Sequence, residues 1–485
     1  MKYLPTIGME VHAQLTTSSK LFCGCTTAAF EAKPNGNTCP VCLGLPGVLP
    51  VLNRKAVEFV IKTALALNCE IPPHSRFARK NYFYPDLPKA YQISQYELPI
   101  SKNGFLEITV NGRKKRIGIT RVHLEEDTGK LIHPEAITSG SAKLGGDLSL
   151  IDYNRVGIPL MEIVSEADIA SSEEAVAYLT KLRTILQYLG VCDGSMEKGS
   201  LRCEPNISIH PEGVEEWGTK TELKNLNSFK AVQRGIDFEL KRQAEILETG
   251  GTVIQETRRW DDATQTTQTM RTKEHAHDYR YFPEPDLVPL EFDPDYVEQI
   301  RSTIPELPDA KKNRFTEKLA LPEYDADILT SSRPLADYYE AVLTNFHEPK
   351  TISNWMLTEL LGALNESGKT IEECKITPVQ FAQLLHLIKK GAISGRIGKD
   401  VFKEMFATGN SPDDIIAAKG LMQVSDAAQL EAVVEKVIQN HPGPAADYRA
   451  GKNKALGFLV GQVMKETGGK ANPQMVNEII RRKLS

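Results

Sequence analysis

The sequence predicts an α+β protein in which a β-rich domain precedes an all-helical domain and a small helical tail domain. Over about the first 290 residues, apolar and polar side chains alternate in short runs, which is typical of half-buried strands. Beyond that region, apolar residues recur at helical spacing. The proline-rich stretch FPEPDLVPLEFDPD at 282–295 lies between the two patterns and indicates a junction. We therefore predict domains at 1–292, 293–407 and 408–485.

The composition is that of an ordinary globular protein. Of the 485 residues, 41% are hydrophobic and 25% are charged, which is enough apolar material for more than one core. No run of about 18 apolar residues occurs, so we expect no membrane span. The N-terminus lacks the pattern of a secretory signal, and we therefore expect a cytoplasmic protein. Because the net charge is −5, any contact with nucleic acid must come from local basic patches.

Two predicted strands carry acidic residues on a polar face. In IGMEVHAQL at 7–15, alternation places Glu10 and His12 together, opposite the apolar side chains. The run FLEITV-NG-RKKRIGIT predicts a hairpin, since the pair Asn111-Gly112 readily supplies two positive φ angles. The second strand of the hairpin continues into VHLEED, where Glu125 and Asp127 share one face.

Later segments predict further strands, several helices and a basic tail. LRCEPNISIH alternates like a strand, and TKTELKN puts Lys220 and Lys224 on one face. Helices are predicted from the capping box Ser171/Glu174 to Gly190, at 229–247, from the capping box at Thr377 to Gly391, and from Ser411. The segment 132–147 is rich in glycine and serine and is predicted to be a loop, to which we assign no function. The last 38 residues contain eight Lys or Arg and only two acids, which indicates a basic module.

Four of the eight cysteines crowd near the start of the chain. Cys23 and Cys25 form a C-x-C pair, and after thirteen intervening residues Cys39 and Cys42 form C-P-V-C-L-G. In a reducing compartment such clusters bind metal more often than they form disulfides. Four thiolates suit tetrahedral zinc and leave no open position for catalysis, so we predict a structural zinc site. The remaining cysteines are interpreted as small buried hydrophobes.

The familiar catalytic motifs are missing, which leaves carboxylates and cations on strand faces as the candidate chemistry. The sequence has no G-x-x-x-x-G-K-[ST] loop, no G-x-G-x-x-G and no G-x-S-x-G elbow. Oxygen ligands with few protein contacts suit Mg²⁺, and lysines could neutralise phosphate charge. From spacing alone, however, Glu10 and His12 are more typical of a solvated strand face than of a metal site. Lys220, Glu222 and Lys224 alone are typical of a salt-bridged surface stripe.

The aromatic segment KNYFYPDLPKAYQISQY at 80–96 carries the first resemblance to a known family. As a pattern it fits a buried loop or a surface that stacks on nucleotides equally well. It resembles the signature of the B subunits of the heterotrimeric glutamyl/aspartyl-tRNA amidotransferases. Seven further segments resemble that family in the same order along the chain: IGMEVHAQL at 7–15, RVHLEEDTGK at 121–130, IDYNRVGIPLMEIVSE at 151–166, GSLRCEPNISI at 199–209, GTKTELKNLNSF at 218–229, DYRYFPEPDL at 278–287 and KALGFLVGQVMK at 454–465.

The resemblance implies a fold and an activity. The fold would be a β-structured cradle domain, a helical domain and a small helical tail that binds tRNA. The activity would be that of a ligase: ATP phosphorylates the side-chain carboxylate of glutamate on glutamine tRNA, or of aspartate on asparagine tRNA, and ammonia then displaces the phosphate. The implied partners are a glutaminase (amidase) A subunit that releases ammonia from glutamine, a small C subunit and the misacylated tRNA. The absence of a glutaminase nucleophile in this sequence fits that division of labour.

The resemblance also implies roles for individual residues. Glu10, His12 and Glu125 match the metal-binding positions and are assigned to Mg²⁺. Candidates for the nucleotide and the tRNA end are Asn81, Tyr82, Lys89, Asn154, Arg155, Lys220 and Lys224. The cysteine cluster occurs in only part of the family, so its zinc assignment comes from spacing.

Three alternatives remain beside this prediction. The archaeal-type relative carries a large extra domain between cradle and helices, for which 485 residues leave no room. A zinc-containing RNA-binding protein would show no ATP-dependent phosphate release. A metal-dependent RNA phosphoesterase would cleave uncharged tRNA without ATP. The sequence does not distinguish the glutamine route from the asparagine route.

Overall fold

The computed structural model describes residues 2–29, 32–132, 149–272, 276–421, 427–468, 471 and 473–484. The chain forms two compact units, Met1–Leu307 and Pro308–Ser485. Strands are concentrated in the first unit, and the second is helical, so the predicted α+β class is confirmed. The predicted loop at 132–147 lies, apart from Ile132, outside the described residues.

The first unit is built around an eight-stranded sheet with the strand order β13-β12-β11-β10-β1-β9-β6-β5. Three helices pack on it: α1 against β6, α2 against β5 and α3 against β10. The strands are β1 Tyr3–Gln14, β2 His74–Ser75, β3 Ala78–Asn81, β4 Tyr91–Ser94, β5 Ser101–Val110, β6 Arg113–Glu126, β7 Lys130–Ile132, β8 Leu150–Asp152, β9 Pro159–Ser165, β10 Leu201–Pro211, β11 Thr221–Lys224, β12 Glu256–Asp261, β13 Thr266–Thr272, β14 Phe282–Pro283 and β15 Leu290–Glu291. The helices are α1 Arg54–Ala66, α2 Ser172–Leu189, α3 Phe229–Glu248 and α4 Pro294–Ser302.

Local sequence signals position these elements as expected. The apolar side chains of β1, among them Ile7 and Val11, are fully buried, which leaves the other face of the strand to polar residues. Strands β5 and β6 meet in the hairpin turn Asn111-Gly112, with φ angles of 51° and 74°, as predicted. Helix α2 begins after Ser171, whose side chain accepts a hydrogen bond from the Glu174 N–H, and ends at Gly190 with φ 68°.

The second unit contains helices only, in the part of it that the structure describes, and these surround two hydrophobic cores. One core is formed by residues between Phe315 and Ile416, the other by residues between Leu430 and Leu484. The predicted capping box of Thr377 and Gln380 is present at the start of α10. The helices are α5 Pro308–Glu317, α6 Glu323–Leu329, α7 Arg333–Asn345, α8 Pro349–Trp355, α9 Leu361–Ser367, α10 Pro378–Lys389, α11 Gly395–Thr408, α12 Pro412–Lys419, α13 Ala427–Asn440, α14 Pro442–Arg449, α15 Lys454–Glu466 and α16 Pro473–Leu484.

Two helices that follow the predicted domain limits pack into the core that precedes the limit. Ile300 of α4 is buried in the core of the first unit, and Ile415 of α12 is buried in the first core of the second unit. The limits at 292/293 and 407/408 stay a prediction about how the domains fold independently. No helix among the described residues is long and apolar enough to cross a membrane.

Candidate functional site

Five adjacent strands of the large sheet share one polar face. On β1, His12 lies directly between Glu162 of β9 and Arg202 of β10, and Glu10 lies opposite Glu204 of β10. Side chains that are directly opposite in neighbouring strands emerge on the same face, about 5 Å apart. The face continues onto β6 with His123 and Glu125 and onto β11 with Glu222 and Lys224.

The first charged group on this face pairs two carboxylates with two imidazoles. His12 Nε2 lies 3.7 Å from Glu125 Oε1 and 3.4 Å from Glu162 Oε2. His123 Nε2 lies 3.8 Å from Glu125 Oε2 and 3.2 Å from Glu162 Oε2. Ser94 Oγ donates a hydrogen bond to Glu125 at 3.0 Å. One ligand atom from each of His12, Glu125 and Glu162 lies within 4.8 Å of the others, so these three could hold one metal ion.

Charge compensation governs this group. Burial alone would raise the pKa of Glu162, but His123 and His12 hold it well below its usual range. Burial alone would lower the pKa of His12, but Glu162, Glu204 and Glu125 raise it to about 9. Without a metal ion, the two carboxylates are therefore neutralised by protonated imidazoles. A divalent cation that bound His12 would replace a proton there.

Glu10 belongs to a second group of carboxylates. Its ligand atoms lie within 4.8 Å of those of Glu204 and Glu222, and Asn206 Nδ2 donates a hydrogen bond to Glu10 Oε1 at 2.9 Å. Burial and then the charges of Glu162, Glu222 and Glu204 raise the pKa of Glu10. Lys224, a predicted phosphate ligand, forms ion pairs with Glu204 and, at 3.5 Å, with Glu222. The structure thus separates Glu10 from His12 and Glu125, with which the sequence grouped it.

The aromatic segment brings Lys80, which sequence reasoning did not select, to the first group. Burial alone would lower the pKa of Lys80, but Tyr281, Glu125 and Glu162 raise it above its usual range. The Lys80 ammonium lies 4.8 Å from the Tyr279 ring centroid and 6.0 Å from that of the predicted residue Tyr82. Two aromatic rings thus lie near the ammonium, whose charge interacts with both carboxylates.

Asn81, a predicted nucleotide ligand, is used within the protein. Its Nδ2 donates hydrogen bonds to the carbonyl oxygens of Tyr279, at 3.2 Å, and Arg280, at 2.8 Å. Arg280 has a φ of 44°, a left-handed conformation that non-glycine residues seldom adopt. The amide of Asn81 therefore stabilises the turn that places Tyr279 and Tyr281 near Lys80.

Lys89 and Lys220 lie away from the carboxylate face or at its edge. Lys89 forms a buried ion pair with Glu126, which follows Glu125 on β6 and therefore points to the opposite side of the strand. Lys220 is exposed and precedes β11. Lys89 and Glu126 line a cavity of about 100 Å³, together with Cys42 of the cysteine cluster.

Asn154 and Arg155, predicted to shape the acceptor-end pocket, brace loops. Asn154 is buried; its Oδ1 accepts a hydrogen bond from the Asn37 N–H at 2.7 Å, and its Nδ2 donates one to the Lys33 carbonyl at 2.8 Å. Arg155 donates hydrogen bonds to the carbonyl oxygens of Thr128 and Gly129, at 2.9 and 2.7 Å. These contacts attach the cysteine-bearing loop and the end of β6 to the segment before β9.

The four cysteines of the predicted zinc site come together. The sulfur atoms of Cys23, Cys25, Cys39 and Cys42 all lie within 4.8 Å of one another, which is compatible with tetrahedral coordination. The Cys39 N–H donates a hydrogen bond to Cys42 Sγ at 3.1 Å. Hydrogen bonding by Cys23, together with the nearby Lys20 ammonium, lowers the pKa of Cys42 to about 5 despite burial. The donor set therefore fits Zn²⁺.

Sequence reasoning did not select Glu162 or the Tyr279/Tyr281 pair, and it placed His123 on the face of Glu125 without giving it a role. Glu162 carried a signal, because it is a charged residue inside the apolar run IPLMEIV of a central strand. Its role became visible only with the strand register, which places it opposite both His12 and His123. The tyrosines are about 200 residues from Lys80 in sequence, and no local pattern connects them.

Comparison with known proteins identifies the class first. Residues 5–298 match the sequence model described as the GatB/GatE catalytic domain, and residues 337–484 match the one described as the GatB domain. A catalytic domain carrying the polar face is thus followed by the helical part typical of amidotransferase B subunits. Full-length relatives of this chain are named as B subunits of aspartyl/glutamyl-tRNA(Asn/Gln) amidotransferases. That of Carboxydothermus hydrogenoformans is 57% identical over 486 residues, covering 100% of this chain and 99% of the relative.

Two further relatives of the same name match over 485 residues and cover both chains completely. The protein from Caldanaerobacter subterraneus subsp. tengcongensis is 56% identical, and the protein from Geotalea uraniireducens is 55% identical. The chain belongs to the family of aspartyl/glutamyl-tRNA amidotransferase B subunits, as its sequence motifs predicted.

Proposed function

We propose that this chain is the B subunit of a tRNA-dependent amidotransferase, a ligase that uses glutamine as amido donor. It would convert Glu-tRNA(Gln), Asp-tRNA(Asn) or both into Gln-tRNA(Gln) and Asn-tRNA(Asn) for translation. The observation that carries the proposal is the partly buried charged face of the large sheet, with its two carboxylate groups and neighbouring lysine, in a chain of this family.

The reaction requires two transfers at the side-chain carboxylate of the misacylated tRNA. In the first, a carboxylate oxygen attacks the γ-phosphorus of ATP, the bond to the β-phosphate oxygen breaks, and ADP leaves. In the second, ammonia attacks the acyl carbon and phosphate departs with the bonding electrons, while nitrogen loses a proton. Negative charge develops at the reacting atoms in both steps. The protein can therefore lower the activation barriers chiefly by positioning the reactants and by stabilising this charge. Lys80 is a cation of this face that lies beside both glutamates of the first group.

We propose that Mg²⁺ is held by His12 and Glu125, with Glu162 as an additional ligand and Glu10 contributing from the second group. Carboxylate oxygens are the ligands this ion prefers, and the buried cluster supplies them within reach of one another. When bound, Mg²⁺ would neutralise phosphate oxygens of ATP. Zn²⁺ is proposed at the four cysteines, where it would fix the loop that Asn154 anchors.

The proposed partners are a glutaminase A subunit, a small C subunit and the misacylated tRNA. A heterotrimer follows from the division of labour in the proposed reaction, since this chain offers no glutaminase nucleophile motif. tRNA amidation serves translation, so we propose that the enzyme works in the cytoplasm. Asn81, Tyr82, Lys89, Asn154, Arg155, Lys220 and Lys224 remain predicted contacts of the nucleotide and the tRNA end.

The test is to incubate the reconstituted complex with ATP, glutamine and each misacylated tRNA, and to identify the attached amino acid. We expect glutamine, asparagine or both, together with ATP-dependent phosphate release. Glu125→Gln should abolish phosphate release, whereas Glu256→Gln, a buried carboxylate of the outer strand β12, should retain it. Cleavage of uncharged tRNA without ATP would instead indicate a phosphoesterase, and no reaction at all would indicate a binding protein.

A further inference from the structure

Arg202 lies on the polar face beside His12 of the first carboxylate group. It lies directly opposite His12 in the pairing of β10 with β1, so the two side chains share one face. Two residues further along β10 is Glu204 of the second group. The register therefore places Arg202 next to the first group and on the same strand face as Glu204 of the second.

One edge of the Arg202 guanidinium is fixed by Asp127. Its Nη2 donates a hydrogen bond to Asp127 Oδ2 at 2.7 Å, and Gln14 Nε2 donates to the same oxygen, also at 2.7 Å. Asp127 itself is buried at the end of β6. Burial alone would raise the pKa of Asp127, but Arg202 and Arg155 hold it below its usual range, so the carboxylate stays charged. The guanidinium is thus held in a set orientation before any ligand binds.

The Nε–H group, which lies on the same edge of the guanidinium as Nη2, is unused. Arg202 Nε is buried and makes no hydrogen bond to any residue that the structure describes. Buried donors in native proteins are nearly always satisfied, and the exceptions are often sites where a ligand supplies the acceptor. The side chain as a whole is 32% exposed, so a ligand on the polar face can reach it. An arginine fork with an unused N–H matches the oxygen pairs of a phosphate.

Lys224 and Lys89, two further cations of the first unit, are like Arg202 paired with carboxylates. Lys224 is paired with Glu204 and Glu222, and Lys89 is paired with Glu126. Burial would lower the pKa of Arg202, but Asp127, Glu204 and Glu125 raise it, so the guanidinium keeps its charge among these acids. Arg202 thus combines a fixed orientation, a permanent charge and an unused donor.

We propose that Arg202 is a catalytic residue that donates hydrogen bonds to the phosphoryl group as it moves from ATP to the side-chain carboxylate. The role rests on the proposed function and adds a residue to it. Arg202 forms no covalent bond; its N–H groups bind non-bridging phosphate oxygens while the carboxylate–phosphorus bond forms and the bond to ADP breaks. Its contribution is largest where negative charge accumulates, in the transition state, rather than in bound ATP.

The experiment compares Arg202→Lys with Arg258→Lys in the reconstituted complex. Arg258 is the matched control, because it is a buried arginine of the same sheet that pairs with Glu256 at 2.6 Å, on the outer strand β12. We expect Arg202→Lys to lower kcat for phosphate release with misacylated tRNA by roughly 10²- to 10³-fold. Affinity for ADP with aluminium fluoride, which mimics the transferred group, should fall by at least about 10-fold while affinity for ADP alone changes little. Arg258→Lys should change neither quantity.

Two results would overturn the role of Arg202. One is a kcat that stays within a few-fold of wild type, and the other is an equal loss of affinity for ADP and for ADP with aluminium fluoride. If Arg202→Lys fails to assemble, the double variant Arg202→Gln/Asp127→Asn removes both charges of the buried pair together, and the same loss of kcat is expected from it. A wild-type complex without ATP-dependent phosphate release would overturn the proposed function and this role together. An active wild type with an unimpaired variant would overturn the role alone.

Discussion

The ion pair of Lys89 and Glu126 offers the most direct test of how the structure assigns charge. The side chains are only 8% and 2% exposed, and the Ile93 N–H also donates to Glu126 Oε1 at 2.9 Å. The stem of Lys89 lies against Gly44, where an added Cβ would approach Lys89 Cγ to 2.2 Å. Lys89→Met keeps most of this packing but leaves the Glu126 carboxylate without its counter-charge.

The expected magnitude follows from that burial. Removing one partner of a buried ion pair costs about 3–5 kcal/mol, because the remaining charge is desolvated without compensation. Replacing both partners by neutral groups of similar shape is much less costly, so Lys89→Met/Glu126→Gln should regain most of the loss. We therefore expect a coupling free energy of about 2–4 kcal/mol between the two substitutions.

The assay is urea unfolding of the full chain followed by tryptophan fluorescence. The chain has 3 tryptophans, and Trp355→Phe in all variants leaves Trp217 and Trp260, which both report on the first unit. The reasoning is refuted if Lys89→Met changes the free energy of unfolding by less than about 0.5 kcal/mol, or if the two substitutions simply add. The same double variant tests the predicted nucleotide role of Lys89, since a stable complex that remains slow would support it.

Four further predictions concern the metals and the tRNA end. Glu162→Gln should weaken Mn²⁺ binding to the full chain by roughly 10- to 100-fold, measured by water proton relaxation. Glu10→Gln should weaken it less, and a larger effect of Glu10→Gln would favour the grouping expected from the sequence. Cys42→Ser should abolish zinc binding in elemental analysis, and full zinc content in this variant would refute the site. Asn154→Ala should speed zinc loss to a chelator, because it frees the loop that carries the ligands; an unchanged rate would mean that the anchor is unimportant. Phe83, which lies within the aromatic segment and is 76% exposed, should stack on a nucleotide base. Phe83→Ala should raise KM for misacylated tRNA by roughly 5- to 100-fold and leave KM for ATP unchanged, whereas equal changes in both would argue against stacking.

Much of the fold could be predicted from local sequence signals. The hairpin at Asn111-Gly112, helix α2 with its limits at Ser171 and Gly190, and the capping box of Thr377 each depend on residues close together in the chain. Such signals act through backbone conformation and capping, which a short segment determines by itself. The reciprocal half of the Ser171 capping box was wrong, because the Glu174 carboxylate accepts hydrogen bonds from the Ala170 N–H and Lys115 instead.

The candidate site could be predicted only in part, because several of its residues are far apart in the sequence. The polar faces of β1, β6 and β10 are visible as alternation, and they supplied Glu10, His12 and Glu125. Glu162 joins the site through the pairing of β9 with β1. Lys80 lies beside tyrosines that are about 200 residues away in the sequence. Alternation within one strand reveals neither relationship. Lys89 was selected because it lies in the family motif at 80–96. Its buried ion pair with Glu126, which the sequence does not reveal, indicates that packing can also explain why a lysine is present there.

The register of the sheet also explains why Glu10 and His12 fall into different groups. Side chains two residues apart on one strand are separated by about 7 Å, whereas directly opposed side chains on neighbouring strands are about 5 Å apart. Direct partners in the register are therefore the closest neighbours, although long side chains such as those of Glu222 and Lys224 also meet along one strand. His12 meets Glu162, and Glu10 meets Glu204, because these are their partners in the register. The result is two carboxylate groups side by side on one face, with Arg202 next to His12. This arrangement can hold an ion and a phosphate chain at neighbouring positions.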